Sequence, residues 1–343
     1  MTSLVNDQTQ PGAPMSPQGR SASCLVVLGT GGTISGKAGS ARDNVGYSAG
    51  LVGVSDLLDG VPGLDALTGR GLRLEAEQLA QIDSKDMSHA VWRRLAERVA
   101  AHLAREDVSG IVITHGTDTL EETAYLLQRV LSPAKPVVLT AAMRPASSSE
   151  ADGPANLRQA LEVASLPDAR GVLAVVAGTV WSGLEVRKVH PYRLDAFSAG
   201  DAGPIGYLEE GRLRRLRDWP RGEPLGLDVL AAEVWPEVQI VVSHGGADGR
   251  LVDLLRAAGV QGIVVACTGN GTIHDDLRAS LMRAGQAGVA VLRALRHGAG
   301  EILPGSAETL PSAAGLTPAQ ARVELLLRLL AGRGSTLRPS SSA

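Results

Sequence analysis

The apolar run Leu25-Val26-Val27-Leu28, followed by Gly29-Thr30-Gly31-Gly32-Thr33-Ile34-Ser35-Gly36, constrains the fold of this chain more than any other stretch. Consecutive aliphatic residues suit a strand covered on both faces, as the strands of a parallel sheet are. Glycines directly after it place bare backbone and a hydroxyl at the carboxyl edge of the sheet, where open α/β folds take their ligands. The turn is not a dinucleotide fingerprint, because Ile34 stands where the third glycine of G-x-G-x-x-G belongs. Two readings remain for Thr33: a turn residue bonding its own backbone, which is the commoner role, or a reactive alcohol.

Similar runs recur at Gly110–Thr114, Pro136–Ala141, Gly171–Ala177, Val238–Ser243, 262–267 and 288–293, and Leu72–Ile82 reads as a further strand. Between them lie segments of helical spacing: Val91, Trp92, Leu95, Val99 and Leu103; Thr119–Val130; a helix ending at Ala164; 249–258; 275–284; and a last one from Thr317-Pro318 to Gly332. The alternation implies an α/β protein of two domains, each with a mainly parallel sheet flanked by helices. With 44% apolar but only 3% aromatic residues, the cores must be aliphatic. Composition turns to Arg, Asp, Glu and Pro over Glu209–Glu233. The domains are therefore expected at 23–215 and 235–333, joined by a linker at 216–234, with 1–22 and 334–343 as disordered tails. Ser35–Gly50 reads as a flap whose one aromatic is Tyr47, and Trp181–Asp195 as an irregular segment containing Lys188. Asp118-x-x-Glu121 resembles a capping box, and Asp152-Gly153-Pro154 a cap with its first turn.

A net charge of -3 makes no case for nucleic acid or an anionic membrane surface. No apolar run approaches the roughly 18 residues of a membrane span. The polar start, with Pro11, Pro14 and Pro17, lacks the basic and apolar segments of a secretory signal, so a cytoplasmic location is expected. Cys24 and Cys267 both fall in strand-like runs and are expected as buried, reduced thiols.

Three strand ends carry hydroxyls and ionisable groups: Thr33, Ser84 with Asp86, and Thr117 with Asp118. A parallel sheet puts such ends on one edge. A threonine becomes a nucleophile when a base takes its proton, and a lysine held by a carboxylate can act in that role; Lys188 is the candidate expected to activate the alcohol at the tip of the first strand. Each residue also has a plainer role open to it: Asp118 as a helix cap, Lys188 as a solvated charge, Tyr47 as flap packing. The histidines are scattered, with no H-E-x-x-H or C-x-x-C, so no metal site is expected; His115 is expected to bond backbone beside its glycine. Neither a G-x-S-x-G elbow nor a phosphate loop is present.

Taken together, these residues resemble the bacterial-type L-asparaginase family, which includes glutaminase-asparaginases. Thr30-Gly31-Gly32-Thr33-Ile34 is similar to the first motif of that family, and Ile113-Thr114-His115-Gly116-Thr117-Asp118-Thr119-Leu120-Glu121-Glu122-Thr123-Ala124 to its second. Asp83-Ser84-Lys85-Asp86-Met87, Ala142-Met143-Arg144-Pro145, Gly203-Pro204-Ile205-Gly206, Gly269-Asn270-Gly271 and Thr317-Pro318-Ala319-Gln320 extend the likeness over about Cys24–Leu330. The resemblance implies hydrolysis of the side-chain amide of L-asparagine to L-aspartate and ammonia, without a cofactor, through a threonine-linked acyl-enzyme, with a minor glutaminase activity allowed. It implies Thr33 as nucleophile, Tyr47 as its flap partner, and Thr117, Asp118 and Lys188 as a second cluster beside the scissile amide. Ser84 and Asp118 match groups that hold the substrate's α-carboxylate and α-ammonium. It further implies a homotetramer, a dimer of dimers, with sites between domains of different subunits.

Two departures bear on substrate range. Lys85 stands where the family often has glutamine, and adds a positive charge beside the carboxylate site. Ser243–Asp248 contains no match for an asparagine that a neighbouring subunit supplies in several relatives, and Glu301 is an inexact match for the accompanying glutamate. A nicotinamide-dependent oxidoreductase would need an acidic residue where the glycine-rich flap lies. A non-catalytic amino-acid binder would not need both hydroxyls and Lys188, and a tRNA amidotransferase subunit fits neither the charge nor the length of the start.

Overall fold

The computed structural model describes residues 23–69, 71–303 and 310–332. The tails expected at 1–22 and 334–343 lie outside the described residues. The first part runs β1 (Cys24–Gly31), β2 (Lys37–Ala38), β3 (Tyr47–Ser48), α1 (Val54–Asp59), α2 (Leu64–Thr68), β4 (Arg73–Ile82), α3 (His89–Leu103) and β5 (Val108–Thr114). It continues as α4 (Leu120–Leu131), β6 (Pro136–Thr140), α5 (Gly153–Ala164), β7 (Gly171–Val176), β8 (Thr179–Ser182), β9 (Arg187–Lys188), β10 (Phe197–Ser198), β11 (Gly206–Glu209) and β12 (Arg212–Arg215). The last part is β13 (Val238–Val242), α6 (Arg250–Ala257), β14 (Gly262–Cys267), α7 (Asp275–Gln286), β15 (Ala290–Leu295) and α8 (Pro318–Leu330).

The larger sheet has the order β12-β11-β8-β7-β6-β5-β1-β4. Its strands β4, β1, β5, β6 and β7 pair in parallel, each return made through helix or loop. The parallel pairing gives way at the other edge, where β8, β11 and β12 run antiparallel. The reason is turn chemistry. Ala177 and Gly178 have φ of 50° and 75°, and Glu210 and Gly211 have 48° and 73°, the two-residue geometry that folds a chain straight back on itself. The smaller sheet, β13-β14-β15, is parallel throughout.

Along β1 successive side chains serve opposite layers. Val26 and Leu28 join the core built with α3, α4 and α8, while Leu25 and Val27 join the one built with α1 and α5. All four are wholly buried, which is what an unbroken apolar run in a covered sheet requires. Cys24 and Cys267 are buried as thiols, as expected. The segment expected to be irregular, Trp181–Asp195, instead contains the end of β8 and the short β9 with Lys188. Within 216–234, the 3-10 turn Leu227–Leu230 buries Leu230 in the core shared with α3 and α4.

α8 begins with the capping box in which Thr317 Oγ1 accepts from Gln320 N–H and Gln320 Oε1 from Thr317 N–H. It lies between the small sheet and α4, and buries Glu324 there. Arg129 Nε and Nη2 donate to Glu324 at 2.8 and 3.2 Å, and Tyr125 Oη at 3.0 Å. Burial disfavours the Glu324 charge, but Arg129 and Arg328 outweigh it and hold its carboxyl below the usual range. Removing one member of such a pair strands the other. Glu324→Ala should therefore cost about 3 kcal/mol in urea unfolding, against about 1 kcal/mol for Tyr125→Phe. Equal losses would show that the ion pair does not hold the two sheets together.

Candidate active site

The site is built where the carboxyl ends of β1, β4 and β5 meet. Gly31 and Gly32 have φ of 108° and 84°, open to glycine and strained for other residues. A Cβ on Gly31 would lie 2.3 Å from Ile82 O, and one on Gly32 would lie 2.3 Å from Gly116 Cα. A Cβ on Gly116 would lie 2.4 Å from Ser84 Oγ. Three loops thus touch backbone to backbone, and each carries a hydroxyl one or two residues away.

Thr33 opens a 3-10 turn, Thr33–Ser35, and is only 7% exposed. Its Oγ1 lies 2.6 Å from Tyr47 Oη. Tyr47 stands on β3, paired with β2, and this ribbon is tied down from outside. Ala38 N–H donates to Ser147 Oγ at 2.8 Å, and Ser149 N–H to Ala41 O at 2.9 Å. The turn bearing these serines is pinned in its turn, since Asp152 accepts from the N–H groups of Met143 and Arg144, both at 3.0 Å.

Thr117 and Asp118 lie between β5 and α4, and Lys188 reaches them from β9. Its Nζ donates to Thr117 Oγ1 at 2.8 Å and to Asp118 Oδ1 at 2.7 Å. The lysine expected to activate the first-strand alcohol is therefore paired with Thr117 instead, and Thr33 with the tyrosine; the two alcohols have different partners. The Lys188 backbone N–H donates to Glu121 Oε2 at 2.6 Å. Burial, with Glu122 beside it, pushes the Glu121 carboxyl up to about 7. The expected capping box does not form: Thr119 is the N-cap of α4, with no side-chain cap bond, because both carboxylates of the motif are turned to Lys188.

Ser84 lies beneath this cluster, buried. Its Oγ accepts from Asp118 N–H at 3.2 Å, and its carbonyl accepts from Thr119 Oγ1 at 2.8 Å. The serine proton is left to donate elsewhere. Lys85 points away from a lone-charge role: its ammonium sits 2.6 Å from Asp86 and 3.5 Å from Asp83.

His115 is wholly buried and bonds the backbone, as expected. Nδ1–H donates to Gly116 O at 2.7 Å, so Nε2 accepts, here from Thr123 Oγ1 at 3.0 Å. Trp92 Nε1–H donates to the same hydroxyl at 2.9 Å. This chain of donors fixes the carbonyl preceding Thr117, and burial lowers the His115 pKa to about 4. Sequence reasoning missed this relay and the Glu121 bond. Glu121 sits one helical turn beyond Thr117, but nothing in that spacing points to the main chain of a strand 67 residues on.

Elsewhere among the described residues, Cys24, Glu75 and Asp107 are close enough to hold a metal ion. Arg105 already occupies both carboxylates, at 2.6 and 2.9 Å, which makes the group an ion-pair network.

The family model described as "Asparaginase, N-terminal" matches residues 24–221, and that of the "Glutaminase/Asparaginase C-terminal domain" matches 237–337. The chain is similar to L-asparaginase 2 of Bacillus subtilis (strain 168), 34% identical over 316 residues that cover 89% of this chain and 82% of that one. It is 35% identical over 288 residues to the glutaminase-asparaginase of Pseudomonas fluorescens biotype A, covering 83% and 78%. The crystal structure of a probable cytoplasmic L-asparaginase from Campylobacter jejuni superposes with a TM-score of 0.84 at 35% identity, over 90% of this chain and 95% of that one.

The buried His115 has a measurable signature. Below its ordinary pKa near 6.5 the unfolded chain takes up a proton that the folded ring refuses until about pH 4. Stability from this group is therefore lost as pH falls through that interval, by up to ~3 kcal/mol. The stability gap between the wild type and His115→Asn should narrow by this amount from pH 7 to pH 4. A constant gap in denaturant titrations would show that the ring accepts its proton in place.

Proposed function

This chain belongs to the bacterial-type L-asparaginase family and is an L-asparagine amidohydrolase, and we propose that Thr33 is its nucleophile while Lys188 serves Thr117. The observation that carries the reading is the pair of threonine hydroxyls at adjoining strand ends, each bonded to its own proton-bearing partner.

The substrate's α-carboxylate takes the proton-bearing side of the Ser84 hydroxyl, since Asp118 N–H already occupies its acceptor side. The positive end of α4 adds to that attraction. Asp118 keeps Oδ2 for the α-ammonium while Oδ1 accepts from Lys188. Thr33 Oγ1 then attacks the side-chain amide carbon as its proton passes to Tyr47 Oη and the phenol's own proton passes on to the amide nitrogen, so that Tyr47 stays neutral. Lys188 Nζ donates to Thr117 Oγ1, so the Thr117 hydroxyl is left to donate a hydrogen bond toward the substrate, where it stabilises the charge that develops as the amide is attacked. The carbon–nitrogen bond breaks, ammonia leaves, and a β-aspartyl ester remains on Thr33. Water hydrolyses the ester by the reverse sequence of proton moves and restores the alcohol. The flap ribbon excludes solvent in the first step and must admit one water for the second.

Glutamine is proposed as a minor substrate, on the likeness to the Pseudomonas fluorescens enzyme. We take 23–215 and 235–333 as the two domains, a division supported by the extents of the family models. A dimer of dimers is the proposed assembly. Ile240 and Val242 on edge strand β13, with Leu251 and Leu254 on α6, are exposed on the isolated chain, as an interface would need. No helix among the described residues is long and apolar enough to cross a membrane. A cytoplasmic location is proposed from the likeness to the Campylobacter jejuni protein.

Ammonia release from L-asparagine tests the mechanism. Thr33→Ala and Lys188→Met should each lower kcat by about a thousandfold or more with the fold intact. Tyr47→Phe should slow the first turnover less than Thr33→Ala does. Near-normal turnover of Thr33→Ala would remove the nucleophile, and with it the acyl-enzyme.

A further inference from the structure

Asp118 and Glu121, which the spacing presents as a capping box, hold the two ends of one lysine. Asp118 Oδ1 takes the ammonium of Lys188 at 2.7 Å, and Glu121 Oε2 takes its backbone N–H at 2.6 Å. Both carboxylates belong to the helix start that carries Thr117, whose Oγ1 also accepts from Nζ at 2.8 Å. Resting on the reading that Lys188 serves Thr117, we propose that Glu121 is a positioning residue for the reaction, fixing the Lys188 main chain so that the ammonium reaches Thr117.

The need for such an anchor follows from the strand that bears the lysine. β9 has two residues, and its ladder is the equally short β10, with Lys188 opposite Phe197 and Arg187 opposite Ser198. One further backbone bond, Val189 N–H to Ala196 O at 2.8 Å, closes the ribbon. Two residues of pairing define little register. A lysine stem has several rotatable bonds, so an ammonium is placed well only when its Cα is placed well. Glu121 ties that Cα to the helix bearing Thr117 and bypasses the ribbon altogether. A displacement of about 1 Å at such a group is enough to cost roughly a hundredfold in rate.

The charged groups near Glu121 are Glu122 on its own helix and Arg187 and Lys188 on β9. The bond asks only for an oxygen acceptor at this place. A carboxylate, a carboxylic acid and an amide can each offer one to the same N–H. A neutral, isosteric replacement therefore keeps the anchor, while shortening the side chain removes it with the charge retained.

The test is steady-state and single-turnover ammonia release from L-asparagine by the full chain. Glu121→Gln should stay within about threefold of wild-type kcat. Glu121→Asp and Glu121→Ala should each lose about ten- to a hundredfold in kcat, with KM within about twofold, because substrate is still held by Ser84 and Asp118. Circular dichroism melting checks the fold; should Glu121→Ala fail to fold, the Gln and Asp variants decide between themselves. Wild-type kcat in Glu121→Asp, an equal loss in Glu121→Gln, or a loss confined to KM would each overturn the proposal. Lys188→Met is the reference. If it is active, the assignment of Lys188 fails and the role of Glu121 falls with it. If it is inactive while Glu121→Asp and Glu121→Ala are active, the anchor alone is overturned.

Discussion

Two glycines pressed together at the edge of a sheet are the constraint on which the rest of this structure depends. β1 and β5 are neighbouring parallel strands, so their loops leave the sheet side by side, about 5 Å apart. Gly32 and Gly116 let those loops close until no Cβ fits between them. Thr33 and Thr117 are the next residues in each chain segment. Their hydroxyls share one small region because of that backbone contact, with no direct bond between them required. A methyl group on Gly32 would drive the loops apart, and one on Gly116 would strike Ser84 Oγ before it met the facing loop.

Each alcohol then meets a partner of a different kind. Thr33 and Thr117 sit at the ends of central strands buried in a continuous core. Tyr47 and Lys188 sit on two-residue ribbons, β2–β3 and β9–β10, outside the parallel core of the sheet. The two hydroxyls are thus held by the sheet itself, and their partners by short ribbons at its margin. The ribbons need outside support. The first finds it in Ser147 and Ser149, the second in Glu121.

Much of this was legible in the chain, for reasons that can be named. An unbroken run such as Leu25–Leu28 has few structural outcomes, so β1 and the turn after it were readable from pattern alone. The pairs Thr33 with Tyr47 and Thr117 with Lys188 followed from family resemblance; spacing by itself left Thr33 as a turn residue and Lys188 as a surface charge. What escaped was decided at long range or by a few dihedral angles. Ala177-Gly178 turns β7 back into β8 because both residues adopt positive φ, and alanine gives no warning of that. β9 is too short for any periodicity to mark it. Asp118-x-x-Glu121 misled because its acceptors do suit a helix start; a lysine backbone and ammonium from elsewhere outcompeted the local N–H groups for both of them.

The smaller sheet contributes to the site although none of the paired groups lies on it. Gln320, whose side-chain oxygen completes the cap of α8, also donates from Nε2 to Leu184 O at 3.3 Å and to Val186 O at 3.0 Å. Both carbonyls lie within the three residues before β9. The residues leading to Lys188 are therefore gripped by α8 on one side, and Lys188 itself by α4 on the other. α4 and α8 are in turn joined through Glu324, Arg129 and Tyr125. Lys188 occupies the closing position of a loop of bonds that runs from the larger sheet, through the inter-sheet ion pair, and back to Thr117. A perturbation of the buried Glu324 can thus reach Thr117 without passing through Thr33, Ser84 or Asp118.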